Sequence, residues 1–202
     1  MKEKYVSILS KYLPQSSVDQ ITEWIIFYGV HLNITKERTT KLGDFRPSKS
    51  TRGHKITINY NLNPYAFLLT LVHEFAHLET WNAYKNSARP HGLEWKRSFV
   101  RHMEPFLNEE TFPLEVLIVI KSYLSNPAAS SCSDENLTRS LRRFDAKPVT
   151  YLEELSSNAV FRLQTGRVFR KGQQKRKHFL CTELTTNKLY LISPLAEVEL
   201  IG

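Results

Sequence analysis

From Ala66 to Leu78 the chain runs thirteen residues without a glycine or proline, and nine of them are apolar. Asn63-Pro64 stand just before this run. Asn is a strong N-cap and Pro suits the first helical position, where its missing N–H has no partner to lose. The spacing therefore predicts a helix from Pro64 to about Asn86, closed by the loop Ser87-Ala88-Arg89-Pro90-His91-Gly92. The polar exceptions inside the run are Thr70, His73, Glu74 and His77. Burying a carboxylate between two imidazoles is costly unless the groups have partners.

Those exceptions read Val72-His73-Glu74-Phe75-Ala76-His77. Residues four apart on a helix lie one turn above each other on one face, so both imidazoles can meet one zinc ion while Glu74 is held beside the water on that metal. A catalytic zinc takes three protein ligands and leaves a fourth position open. The third ligand must come from downstream, and His91, on the loop where the chain turns back, is the first candidate. Glu94 is a competing ligand or an acceptor that orients an imidazole. Glu79, Glu104 and His102 read as surface groups. Tyr60, Tyr84, Arg46 and His102 are candidate stabilisers of a reacting oxyanion.

The other segments are consistent with an α+β fold. Tyr5, Ile8, Leu9, Tyr12 and Leu13 recur at helical spacing, and a second helix starts near Ser16 or Ser17 and ends at Gly29. His31 to Thr35 and His54 to Tyr60 alternate polar with apolar, the period of a half-buried strand. The stretch between them has room for another short strand, giving a small antiparallel sheet, and the His54 to Tyr60 strand is the expected edge for an extended substrate. Leu93 to His102 and Leu114 to Leu124 regain helical spacing. Ser125 to Glu135, SNPAASSCSDE, has the composition of a linker and opens the 126–155 stretch, and 156–202 carry three strand-like runs, Phe161 to Phe169, Phe179 to Leu184 and Leu189 to Ile192. The expected turns between these runs lie at Gly172 and Thr186-Asn187. The organisation is thus a domain over 1–125, a linker with a short helix over 126–155, and a small β module over 156–202.

His73-Glu74-Phe75-Ala76-His77 followed by Pro90-His91-Gly92-Leu93-Glu94-Trp95-Lys96 resembles the SprT-like zinc metalloproteases, the family that includes the Spartan proteases. The resemblance spans roughly residues 5–125. It implies a zincin-like, minigluzincin-type fold with helices packed on a small antiparallel sheet. It implies zinc held by His73, His77 and His91, Glu74 as the catalytic carboxylate, and cleavage of protein substrates on DNA. Many members end in a zinc ribbon built on two C-x-x-C pairs. Here Cys132 and Cys181 stand 49 positions apart and neither belongs to such a pair. One zinc per chain is expected, and a metal-free C-terminal module.

With 28 Lys and Arg against 20 Asp and Glu, the chain carries a formal charge of +8, which permits an acidic partner without identifying one. The charge is densest near the C-terminus. From Arg162 to His178 there are seven basic residues and no acid. Arg167, Arg170, Lys171, Lys175, Arg176 and Lys177 are therefore the candidate phosphate contacts, with Phe161, Phe169 and Phe179 either packing the module or stacking on bases. The N-terminus MKEKYVSILSKYLPQSS has no long apolar core and no small-residue cleavage site, and no window is apolar enough for a membrane span, so a cytoplasmic chain with no membrane partner is expected. The functional expectation is a zinc endopeptidase acting near nucleic acid. A nucleic-acid-binding or adaptor protein with little turnover and a zinc hydrolase of small amides are the rivals.

Overall fold

The structure is a computed structural model that describes residues 2–38, 41–48, 53–127, 134–147 and 149–201. It has mixed α+β character and divides into two compact units, residues 1–146 and 147–202. No helix among the described residues is long and apolar enough to cross a membrane.

In the first unit, helices α1 (Lys2–Leu9) and α2 (Val18–Phe27) precede three short strands, β1 (His31–Thr35), β2 (Gly43–Arg46) and β3 (Lys55–Asn59). The expectation of an antiparallel sheet is only half met. The strand order is β1-β3-β2, with β3 parallel to β1 and antiparallel to β2. The chain leaves β1, crosses to β2, and returns through the gap, so β3 is central and cannot be the free edge expected of it. The crossing is held by Arg38, whose Nε donates to Asn59 Oδ1 at 2.8 Å, while Asn59 Nδ2 donates to the Arg38 and Lys41 carbonyls at 3.1 and 3.2 Å. These bonds satisfy the side-chain amide of Asn59, which is buried.

Helix α3 (Pro64–Tyr84) follows, capped by Asn63, whose Oδ1 accepts the Ala66 N–H at 3.0 Å. Eleven of its residues are buried, from Phe67 round to Thr80, so it is the central helix of its unit rather than an amphipathic surface one. Helix α4 (Leu93–Met103) packs along it, followed by α5 (Leu114–Leu124) and α6 (Glu135–Arg142).

The last helix corrects the expected domain boundary at 125. Leu137 and Leu141 of α6 belong to the first unit's core. Asn63 Nδ2 donates to the Leu141 carbonyl at 2.9 Å and to Asp145 Oδ1 at 2.6 Å. The supposed linker is therefore divided: its helix completes the first unit, and Leu152 and Leu155 are core residues of the second. Cys132 and residues 128–133 of the supposed linker lie outside the described residues.

The second unit is a five-stranded antiparallel sheet in the order β7-β6-β5-β4-β8, preceded by one 3₁₀ turn at Leu152–Glu154. Its strands are β4 (Val160–Leu163), β5 (Val168–Lys175), β6 (His178–Glu183), β7 (Leu189–Ile192) and β8 (Val198–Leu200). The expected run Phe161 to Phe169 is really two strands around a turn. Gly172, read as a turn, lies inside β5 at a register shift between Lys171 and Gln174. A methyl group there would meet the Leu180 carbonyl oxygen at 2.2 Å, so the glycine permits close strand approach rather than a reversal. The reversal comes at Arg176-Lys177, with Arg176 at φ 57°. Phe161 and Phe169 are buried and stacked at 5.7 Å, which makes them core.

Candidate metal centre

His73 and His77 project from the same face of α3 one turn apart. His91 reaches them from the α3–α4 connection, with φ 57°, a left-handed conformation that non-glycine residues adopt at a cost of about 1–2 kcal/mol. The three Nε2 atoms are 3.1 Å (His73 to His77), 2.9 Å (His77 to His91) and 3.2 Å (His73 to His91) apart. In the tautomer protonated on Nδ1 each Nε2 carries a lone pair, and three lone pairs converging at these distances repel one another. A shared cation relieves that repulsion, and nitrogens bound tetrahedrally to one zinc lie roughly 3.3 Å apart. The donor set therefore fits zinc in number, chemistry and spacing.

Trp95 of α4 supports all three rings. Its centroid lies 4.6 Å from His73, 5.4 Å from His77 and 4.7 Å from His91, and its other side stacks on Phe99 at 5.1 Å. Trp95 is fully buried. A rigid aromatic behind each imidazole restricts its rotation and keeps water from that side. Burial lowers the proton affinity of all three histidines, and neighbouring imidazoles lower it further at His73 and His77. His73 falls to about 3 and His77 to about 4. At neutral pH they present lone pairs, the form that binds a metal.

Glu74 is 6% exposed. Burial, helped by the nearby Asp44 charge, pushes its carboxyl up to about 8, while the Phe45 N–H and the Arg38 and Lys41 cations act in the opposite direction. A carboxyl in that range exchanges protons near neutral pH, as a general base that later acts as an acid requires.

The expected residues do not all assemble. His73, His77 and His91 form a group that can hold a metal, and Glu94 is outside it. His102 is buried rather than at the surface. Its Nδ1 donates to the Ser98 carbonyl at 2.9 Å and approaches Glu79, which also accepts from Ser98 Oγ and Arg101. Glu79 thus ties α3 to α4. Arg46 pairs with Asp44 at 2.7 Å, and Tyr60 lines a separate open cleft with Tyr12 and Ile34. Gly43 and Phe45, which meet Glu74 from β2, lie in the loop-rich stretch expected to have room for another short strand, and β2 is that strand. A glycine beside an apolar-polar alternation was the available signal.

The candidate phosphate contacts lie in the second unit, and two of the six are committed elsewhere. Lys171 is 4% exposed and its Nζ donates to the Leu155 carbonyl at 2.6 Å, beneath the Phe179 ring. Arg167 pairs with Glu183 at 2.6 Å and lies over Tyr190. The acid missing from the local sequence is thus supplied by another strand, as it is for Arg162 by Glu199. Arg170, Lys175, Arg176 and Lys177 are exposed.

No protein-family model, curated protein or solved structure matches this chain.

Proposed function

We propose that this chain is a zinc-dependent endopeptidase of the SprT-like type, cleaving proteins on or near DNA. The observation that carries the reading is the convergence of His73, His77 and His91 within 3.2 Å of one another, with the buried carboxyl of Glu74 on the same helix next to His73 in the chain. The three imidazoles would hold the zinc, which when bound supplies Lewis acidity at the scissile carbonyl and lowers the pKa of a water. Glu74 accepts the proton of the attacking water on a carboxylate oxygen and returns it to the leaving nitrogen. Trp95 keeps the ligand rings in place and shields them from solvent. Lys175, Arg176 and Lys177 at the hairpin turn and Arg170 farther back on β5 are exposed, which supports a phosphate-contacting role for the second unit.

The test is metal analysis and protein cleavage by the full chain, with single-stranded, double-stranded and no DNA. The parent and Glu74→Gln are expected to hold one zinc, and His91→Ala to lose it. Cleavage is expected in the parent and to fall about 10²–10⁴-fold in Glu74→Gln, since the amide cannot take up the water's proton. A zinc-loaded parent that cleaves no protein under any condition would leave the binding-protein reading in its place.

A further inference from the structure

The catalytic role proposed for Glu74 leaves open what aims its carboxylate. Gly43 opens β2 directly over it: a methyl group at that position would lie 2.5 Å from Glu74 Oε1, 2.9 Å from Glu74 Cγ and 2.8 Å from Thr70 Cγ2. These separations are shorter than any real Cβ contact, so something would have to shift. Thr70 is poorly placed to move, because it is β-branched and its Oγ1 donates to the Ala66 carbonyl at 2.7 Å. The carboxylate is the freer partner.

Gly43 is not required by backbone conformation, since the glycines with positive φ are 29, 53 and 166 among the described residues. Nor does it favour the strand it belongs to, because glycine weakens strands. What remains is space. β2 is an edge strand, so N–H groups on its outer side have no ladder partner, and the Phe45 N–H acts on the Glu74 carboxyl as a donor that favours its charged form. β2 is braced in turn by Asp44, which accepts from Lys41 at 2.6 Å and Arg46 at 2.7 Å.

We infer that β2 is a backbone clamp for Glu74, in which Gly43 vacates the volume that the carboxylate fills and the Phe45 N–H fixes its direction, making Gly43 a positioning residue of the proposed peptidase. The inference rests on the hydrolytic reading, and its test separates the two.

In the metal-free full chain, the Phe45 amide resonance and its hydrogen exchange are compared among the parent, Glu74→Ala and Gly43→Ala. Both variants are expected to move that resonance and to speed its exchange at least 10-fold. In the zinc-loaded chain, Gly43→Ala is expected to keep one zinc and its KM while kcat falls at least 10-fold. Thr70→Ser with Gly43→Ala removes the methyl contact but keeps the hydroxyl, so it is expected to recover folding without recovering kcat. Recovery of both, a parental kcat in Gly43→Ala, or a Phe45 amide indifferent to Glu74→Ala would each overturn the clamp. If Gly43→Ala does not fold in either background, the Glu74→Ala arm decides alone. A parent inactive with zinc while the amide responds as expected would remove the peptidase reading and the positioning role together, leaving the contact as packing.

Discussion

Glu74 and the two helix histidines respond to the same burial with opposite consequences for pH. The histidines, held at about 3 and about 4, stay neutral in the metal-free native state while their unfolded counterparts take up protons below about 6.5. Their contribution to stability is full above that value and is lost as pH falls. Glu74 works the other way. Its native carboxyl binds a proton at about 8 and its unfolded one near 4.5, so from pH 8 down to 4.5 the native state gains relative stability. Removing it should expose the histidine effect. In metal-free Glu74→Gln, stability is expected to fall with decreasing pH more steeply than in the parent by about 1.4 kcal/mol per pH unit between 7 and 5. Urea unfolding at several pH values checks this, and parallel slopes would mean that native Glu74 is ionised there. At this scale the candidate ligands were legible, since the shared face of His73 and His77 follows from helical spacing alone. Lys171 was not, because a lysine inside an acid-free run looks solvated until the fold aims its ammonium group at the Leu155 carbonyl.

Among the elements, α3 was the clearest in the sequence and β2 the least. Asn63 explains both the success and a boundary error. Its cap was evident from Asn-Pro, but the same side chain also donates to Leu141 and Asp145, which no local pattern could reveal across 78 and 82 residues. Asn63→Ala therefore removes more than a cap. It is expected to destabilise the first unit by about 2–4 kcal/mol, combining a lost N-cap with a buried carbonyl deprived of its donor. Trp24, Trp81 and Trp95 all lie in that unit, so tryptophan fluorescence during urea unfolding reads it without interference from the second. A loss below about 0.5 kcal/mol would show that the contacts to α6 contribute nothing. The strands show the limit of periodicity: β1 and β3 were found within a residue or so, yet their parallel pairing depends on the path through β2 and on the Arg38–Asn59 bonds.

Over the whole molecule, the seven basic residues from Arg162 to His178 overstate what this run offers a polyanion. Within that run, carboxylates on other strands pair with the exposed Arg162 and Arg167, and burial removes Lys171, leaving Arg170 on β5 and Lys175, Arg176 and Lys177 at the hairpin turn. If these meet phosphates, replacing Lys175, Arg176 and Lys177 together with alanine should flatten the log affinity against log salt line by up to about 2.7 on duplex DNA, at about 0.9 per contact. Arg167→Ala should leave the slope unchanged. Salt titrations of the full chain distinguish the two variants, and a triple variant with the parental slope would exclude this hairpin as the DNA contact.

The amino-acid sequence by itself determined the α+β class, the long capped helix, the zinc-ligand candidates and the carboxylate among them. These follow from short-range rules: helical and strand periods, caps, and the reach of side chains four residues apart. Only the tertiary structure decided that His91 rather than Glu94 joins His73 and His77 in a cluster that could hold a metal, that β3 is central, that α6 closes the first unit, and that Gly43 lies over Glu74. Each of these depends on groups distant in sequence meeting in space, where close packing and hydrogen-bond satisfaction, rather than local propensity, select the partner.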